Sequence, residues 1–187
     1  MRLSQLPNVL TVARIAAAPL LILTLRDHDY RSALLVFFLA GLSDGLDGFI
    51  AKRWGYTSRL GSILDPVADK VLLLSAYIML TVLDHVPFWL MLTVAFRDLL
   101  IVGGYLTYTS LVGPVVMHPS RLSKMNTLVQ LTLVVVVLLH EALDVSYPFL
   151  IDGLIYAVLV TTVASGFHYL WAWIFKKQVE LNEKPHG

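Results

Sequence analysis

The chain of 187 residues contains no cysteine and few charged residues. Without cysteine, the protein forms no disulfide and no metal site built on thiolates. Charged residues make up 14% of the sequence, whereas an average soluble domain has about 25%. The net charge of +1 carries little information by itself, so the positions of the charges matter more.

Hydrophobic residues make up 57% of the chain and occur in long runs. These runs approach the roughly 20 residues that cross a bilayer as a helix, the structure in which backbone groups are satisfied within lipid. We therefore predict one all-α integral membrane domain over residues 1–187, with a short interfacial segment at residues 1–10. The six predicted spans cover about 11–25, 32–53, 66–83, 88–109, 123–143 and 148–175.

The first run also has a rival interpretation as a signal peptide. Its small residues, Ala16 to Ala18, precede the most apolar part instead of following it, which favours a membrane helix. Six spans place both termini on one side of the membrane. Most Lys and Arg residues fall on that side, whereas Arg26 and Arg31 fall on the other, so the positive-inside rule places the termini in the cytoplasm.

Four carboxylates lie close together in the segment DGLDGFIAKRWGYTSRLGSILDPVAD, which covers residues 44–69. Asp44 and Asp47 are three residues apart and Asp65 and Asp69 are four apart, so each pair shares one helix face. The cluster would repel itself without cations. Oxygen ligands favour Mg²⁺ or Mn²⁺, and Mg²⁺ usually joins carboxylates to substrate phosphates. We therefore expect a phosphate-bearing substrate at the cytoplasmic end of the second and third helices.

Small and basic residues accompany the aspartates. Gly48 and Ala51 share the face of Asp44 and Asp47, and with Gly61 they leave room for a group close to the backbone. The residues that can contact phosphate are Lys52, Arg53, Ser58 and Arg59. For the cations, a solvated loop with ordinary interfacial anchors is the alternative.

This segment resembles the CDP-alcohol phosphotransferase signature, D-x2-D-G-x2-A-R-x8-G-x3-D-x3-D. Every spacing is kept, and the matching residues are Asp44, Asp47, Gly48, Ala51, Lys52, Gly61, Asp65 and Asp69. Lys52 replaces the family's arginine, so the charge is kept while the bidentate geometry is lost, although Arg53 follows directly.

The resemblance implies a mechanism. Asp44, Asp47 and Asp65 would hold two divalent ions against the diphosphate of a CDP-linked lipid. Asp69, also close to a metal, would take the proton from the acceptor hydroxyl. The positions that would contact the CDP-lipid are Gly48, Lys52 and Ser58, with Asn8 and Thr11 in the LPNVLT start as a weaker match. The resemblance also implies a homodimer.

The acceptor must be identified from the later chain. Residues 121–130, RLSKMNTLVQ, resemble the SKxNTxxQ segment of CMP-forming cardiolipin synthases of the eukaryotic type, whereas phosphatidylglycerophosphate synthases tend to have GKxKTxxQ. The pair Arg97 and Asp98 and the runs LDPVADK and TTVASGFHY also resemble the cardiolipin synthases. The implied substrates are CDP-diacylglycerol and phosphatidylglycerol, with glycerol 3-phosphate as the alternative acceptor.

Position 126 gives a physical reason for this choice. A phosphate monoester calls for an extra cation, and Asn126 supplies none, which suits the diester of phosphatidylglycerol. Arg121 and Lys124 can hold that diester, and Ser123 can donate a hydrogen bond to it. Arg97 and Asp98 lie deep in the fourth span, where either can face a polar cavity that leads to the aspartates and can contact the acceptor. The alternatives are interfacial anchoring by Lys124, a helix-packing role for Asn126 and an interhelical pair involving Arg97 or Asp98. Since neighbouring residues point about 100° apart on a helix, these two need not pair with each other.

Two other classes of protein use intramembrane carboxylates. A prenyltransferase would not require the Gly48, Ala51 and Gly61 spacing, and a cation transporter tends to bind ions near the membrane midplane in repeated halves. The first span begins about ten residues from Met1, which leaves no room for a mitochondrial presequence. We therefore expect a bacterial inner membrane, or the mitochondrial inner membrane if the chain has been trimmed. We expect no nucleic-acid partner.

Overall fold

A computed structural model describes the backbone of residues 6–54, 61–112, 121–145 and 148–182. Side chains are described for residues 14–43, 70–104, 121–145, 149–169 and 171. These residues form six helices, which confirms the all-α prediction. The helices are α1 (Leu6–Arg26), α2 (Tyr30–Trp54), α3 (Gly61–Val82), α4 (Phe88–Val112), α5 (Arg121–Leu143) and α6 (Pro148–Asn182).

Three helix boundaries differ from the sequence prediction by five residues or more. Helix α1 begins at Leu6, so residues 6–10 of the expected interfacial segment are helical and Asn8 lies inside the helix. Pro7 does not prevent this, because the first N–H groups of a helix have no partner within it. Helix α3 begins at Gly61, before Pro66, and α6 continues to Asn182, beyond the predicted end at 175.

Helices α1, α3 and α5 end in the same way. His28, Asp84 and Asp144 follow them with positive φ angles of 56°, 60° and 53°. A residue in this left-handed conformation commonly ends a helix, and Asp and His enter it more readily than most residues do. Asp29 then caps α2, since the Ser32 amide donates to its carboxylate over 3.1 Å. Only short turns therefore separate α1 from α2 and α3 from α4.

The apolar core lies between the helices, and much of the lateral surface is apolar too. Leu25, Tyr77 and Leu133 are fully buried, whereas Leu99 is 74% and Phe149 is 91% exposed. Such extensive exposed apolar surface is typical of an interaction with lipid or another protein. By length and composition, two segments of the described chain, Arg121–Leu143 and Phe149–Tyr169, can cross a membrane. That all six helices do so stays a prediction.

Candidate functional site

The four aspartates of the motif belong to two consecutive helices. Asp44 and Asp47 lie in the later part of α2, and Asp65 and Asp69 lie in the first turns of α3. We call the end of the bundle where α2 ends at Trp54 and α3 begins at Gly61 the motif end. The backbone thus provides the two-helix arrangement that the spacing predicts.

The side chains of these aspartates lie outside the described set, and so do those of the predicted CDP-lipid contacts. The latter are Asn8, Thr11, Gly48, Ala51, Lys52, Arg53 and Gly61, with Ser58 outside the described backbone as well. Among the described side chains, no group of three or more His, Asp or Glu residues can hold a metal ion. The four aspartates fit a hard divalent ion through the oxygen chemistry of their carboxylates.

The described part of the site centres on Arg97 of α4, which is 3% exposed. Its Nη1 donates to Asp98 Oδ1 over 2.8 Å, and its Nη2 donates to the hydroxyls of Ser123 in α5 and Ser165 in α6 over 2.7 and 2.6 Å. Lys70 Nζ of α3 donates to the same Asp98 oxygen over 2.6 Å. One polar cluster therefore joins α3, α4, α5 and α6, and we call these five residues the Arg97 cluster.

The Arg97 cluster carries a net positive charge of one, because two cations share one carboxylate. Isolated buried charges are costly, so a counter-ion beside Arg97 is expected. The sequence left the Arg97–Asp98 pairing open, and the structure shows that the two do pair. Arginine has five N–H donors, and its Nε–H has no partner here among the described residues. The Arg97 guanidinium therefore has one buried donor without a partner among the described residues.

The cluster also lies beside the predicted base. Lys70 is the residue after Asp69 in α3, so the two Cα atoms are about 3.8 Å apart. Ser123 is the third residue of α5, whose start lies at the same end of the bundle as the start of α3. The predicted acceptor residues Arg97, Asp98 and Ser123 are thus brought together near the aspartate helices.

The other predicted acceptor residues on α5 divide into exposed and buried ones. Arg121 and Lys124 are exposed at the start of the helix. Asn126 is fully buried, and its Oδ1 lies 2.9 Å from the hydroxyls of both Thr161 and Thr162 in α6. Asn126 therefore performs the helix-packing role that the sequence offered as an alternative.

Asn126 begins a buried polar seam between α5 and α6. One turn further along α5, Gln130 is also fully buried, and its Nε2 lies 3.4 Å from the Thr162 hydroxyl. Within the described set, Asn126 Nδ2 and Gln130 Oε1 have no hydrogen-bond partner. Buried polar atoms of this kind are the places where a ligand group or an ordered water is expected.

Sequence reasoning missed Lys70 and Ser165 as site residues. Both lie in runs that the sequence matched to the family, LDPVADK and TTVASGFHY, but neither residue carries an obvious chemical signal. A serine in an apolar helix is usually interpreted as a packing residue. For Ser165 the structure shows a polar partner, the buried Arg97.

A second polar cluster lies at the opposite end of the bundle. His85 Nε2 and the Tyr30 hydroxyl are 2.9 Å apart, and His85 Nδ1 lies 3.4 Å from Glu141 Oε1. The lining of the adjacent cavity of about 240 Å³ consists of Asp84, His85, Val137, His140, Glu141, Ile151 and Asp152. These contacts tie the ends of α3 and α5 to the start of α2, at the end of the bundle opposite the motif end.

Most of the chain is similar to known phosphatidyltransferases. The profile of the CDP-alcohol phosphatidyltransferase family matches residues 4–174. A CMP-forming cardiolipin synthase of Rattus norvegicus is 37% identical over 180 residues, which are 88% of this chain and 60% of that protein. The chain thus spans about three fifths of the length of that relative and of its human counterpart.

Bacterial relatives of nearly the same length carry a different name. A CDP-diacylglycerol–glycerol-3-phosphate 3-phosphatidyltransferase of Rickettsia bellii is 34% identical over 176 residues, covering 90% of this chain and 94% of that protein. The enzyme of that name from Bacillus subtilis is 31% identical over 182 residues, which are 88% of this chain and 93% of that protein. The relatives therefore differ in the acceptor alcohol that their names indicate.

Proposed function

Because this chain belongs to the CDP-alcohol phosphatidyltransferase family, we propose that it is an enzyme that transfers a phosphatidyl group from CDP-diacylglycerol to phosphatidylglycerol, giving cardiolipin and CMP. The observation that carries the choice of acceptor is the Arg97 cluster. Its Arg97 and Ser165 are buried, its five residues have a formal net charge of +1, and its Lys70 directly follows Asp69.

The charge of the cluster is the reason to prefer a diester acceptor. A phosphodiester such as phosphatidylglycerol carries one negative charge, which matches the one positive charge shared by Lys70, Arg97 and Asp98. Glycerol 3-phosphate is a monoester that approaches two negative charges near neutral pH. Asn126 adds no cation, and its amide oxygen accepts hydrogen bonds from Thr161 and Thr162 of α6. The described groups thus suit the diester better.

The chain's residues divide into donor and acceptor roles. On the donor side, Asp44, Asp47 and Asp65 would hold two divalent ions, Mg²⁺ or Mn²⁺, which when bound neutralise charge on the diphosphate. Residues that would contact the CDP-lipid are Asn8, Thr11, Gly48, Ala51, Lys52, Arg53, Ser58 and Gly61. On the acceptor side, Arg97 would bind the headgroup phosphate with a charge-assisted hydrogen bond, with Arg121 and Lys124 at the entrance.

The transfer itself requires one proton acceptor. Asp69 takes the proton from the free hydroxyl of phosphatidylglycerol as the hydroxyl oxygen bonds to the lipid-side phosphorus. The bond between that phosphorus and the bridging oxygen breaks, and CMP leaves with the electron pair. Arg97 holds the acceptor phosphate, so the hydroxyl reaches the phosphorus in a restricted set of orientations.

An acceptor competition tests the proposal. Purified protein in lipid vesicles receives CDP-diacylglycerol and Mg²⁺ with phosphatidylglycerol, glycerol 3-phosphate or neither, and CMP and lipid products are separated by chromatography. We expect cardiolipin and CMP with phosphatidylglycerol. Lipid product with glycerol 3-phosphate alone would replace this proposal by the second candidate.

That second candidate is phosphatidylglycerophosphate synthase. It is favoured by the two bacterial relatives, which match this chain over nearly their full length. Against it stands the lack of a further cation at position 126. A prenyltransferase or a cation transporter has no support from the family of the chain.

We also propose that the protein acts as a homodimer in a bacterial cytoplasmic membrane with its motif end facing the cytoplasm. The distribution of Lys and Arg supports this orientation. A cysteine introduced at Arg26 should react with an impermeant maleimide from the outside of intact cells, while one at Arg121 should react only after lysis. The reverse labelling would overturn the orientation.

A further inference from the structure

The ion pair between Lys70 and Asp98 joins two helices at the level of the candidate site. Lys70 Nζ and Asp98 Oδ1 are 2.6 Å apart, and the two side chains are 31% and 14% exposed. A charge-assisted hydrogen bond of this length, largely shielded from water, is stronger than an exposed ion pair. It therefore fixes the relative position of α3 and α4 at this point.

Direct packing between α3 and α4 is limited. Helix α3 packs mainly against α1, and its contacts with α4 are far fewer. The two helices are connected by the turn after Val82, which lies at the opposite end of the bundle. From Val82 back to Lys70 the helix rises about 18 Å, so the turn alone constrains the site weakly.

The two ends of this ion pair belong to the two sides of the proposed reaction. Lys70 follows Asp69, the proposed base, on one rigid helix. Asp98 Oδ1 also accepts the hydrogen bond from Arg97 Nη1 over 2.8 Å. A single carboxylate oxygen thus connects the helix of the base to the guanidinium that would bind the acceptor.

We propose that Lys70 is a positioning residue, which through Asp98 sets the distance between Arg97 and Asp69 and so aligns the acceptor hydroxyl with its base. This inference rests on the proposed function, because it assigns Arg97 to the acceptor and Asp69 to the proton. Lys70 need not touch either substrate. Its loss misplaces the acceptor while the CDP-lipid still binds.

The test compares Lys70→Gln and Lys70→Arg with the unaltered enzyme in vesicles that contain CDP-diacylglycerol and Mg²⁺. The unaltered enzyme is first assayed with phosphatidylglycerol and with glycerol 3-phosphate. If it uses only glycerol 3-phosphate, the proposed function fails, and the variants are then measured with that acceptor. Failure of the proposed function and failure of the Lys70 proposal therefore give different results.

We expect Lys70→Gln to lower kcat/KM for the acceptor by about 10- to 100-fold, the range for a small misplacement of reacting groups. Lys70→Arg should recover a large part of this loss, since a guanidinium also reaches Asp98. Stabilisation of the protein by CDP-diacylglycerol against heat should be unchanged, because the donor still binds. Arg26→Gln, which removes an exposed cation at the opposite end, should leave kcat/KM as it was.

A double-mutant cycle with Asp98→Asn tests the route through Asp98. Lys70→Gln should have a smaller effect on kcat/KM in the Asp98→Asn protein than in the unaltered one, because the contact between Lys70 and Asp98 is already lost. Effects of the two substitutions that simply multiply, an unchanged kcat/KM in Lys70→Gln, or loss of CDP-diacylglycerol binding would each overturn the proposal. If Lys70→Gln does not fold, Lys70→Arg takes its place in the cycle. The change in kcat/KM that it causes must then be smaller in the Asp98→Asn background, and an equal change would overturn the proposal.

Discussion

Arg97 and Asp98 are consecutive residues that form a direct ion pair, with Nη1 and Oδ1 2.8 Å apart. Side chains of consecutive residues leave a helix about 100° apart, so the long arginine side chain has to turn towards Asp98 to reach it. The Nη2 group then donates to Ser123 and Ser165, while Nε has no partner among the described residues. The guanidinium is held in place, and its Nε is the donor that we propose for the acceptor phosphate.

Arg97→Lys tests this role. Lysine keeps the charge but cannot donate to Asp98, Ser123 and Ser165 in the same fork geometry, so we expect kcat/KM for phosphatidylglycerol to fall at least about tenfold. Binding of CDP-diacylglycerol, measured by thermal stabilisation, should persist. Arg26→Lys is the matched control. Equal activity in Arg97→Lys and the control would remove Arg97 from the acceptor site.

Asn126→Ala tests the buried seam between α5 and α6. The substitution leaves the Thr162 hydroxyl without its acceptor, and we expect the free energy of unfolding to fall by about 1–3 kcal/mol. Chemical unfolding in detergent measures this change. The control is Thr132→Val, because Thr132 is exposed on the same helix and donates to its own turn. A stability loss no larger than in the control would contradict the packing role.

Asp69→Asn tests the proton acceptor. An amide cannot take the proton, so kcat should fall by about 100- to 10,000-fold while CDP-diacylglycerol with Mg²⁺ still stabilises the protein. Asp65→Asn should instead weaken that stabilisation, since Asp65 is assigned to metal binding alone. If Asp69→Asn also abolishes donor binding, Asp69 belongs to the metal site and another residue is the base.

Chelation tests the metal requirement. We expect EDTA to abolish CMP release and Mg²⁺ or Mn²⁺ to restore it. Four carboxylates that share one site repel each other unless cations lie between them. The assay follows CMP by chromatography, with and without an acceptor. Undiminished CMP release in EDTA, from protein passed through a chelating resin, would contradict a divalent-metal enzyme.

Asp29 gives a pH-dependent prediction at the other end of the bundle. Hydrogen bonds from Ser32, first its hydroxyl and then its amide, hold the pKa of Asp29 below the ordinary value for an aspartate. A lowered folded-state pKa means that this carboxylate stabilises the fold above its unfolded pKa of about 3.9, and that the contribution is lost as the pH falls through the folded value. Ser32→Ala should raise the pKa of Asp29, as measured by carboxyl NMR titration. A pKa that does not move would show that the hydroxyl has no role.

Much of the helical framework follows from local pattern. The start of α4 at Phe88 and the ends of α3 and α5 agree with prediction to within about one residue, because hydrophobic runs stop at polar turns there. The start of α1 does not, since Pro7 signals a break in sequence but is tolerated in a first turn. The end of α6 also differs from the prediction. The helix continues to Asn182, beyond its apolar stretch, because a polar sequence can also be helical.

The sequence alone determined the spacing of Asp44, Asp47, Asp65 and Asp69 on two consecutive helices, since helical periodicity is a local property. It also identified Arg97, Asp98 and Ser123 as polar residues that needed an explanation. Only the tertiary structure decided their partners. Ser165 meets Arg97 from 68 residues away, and Lys70 meets Asp98 from 28 residues away. Such contacts depend on which faces of α3, α4, α5 and α6 turn towards each other, and the packing of the whole bundle sets those faces.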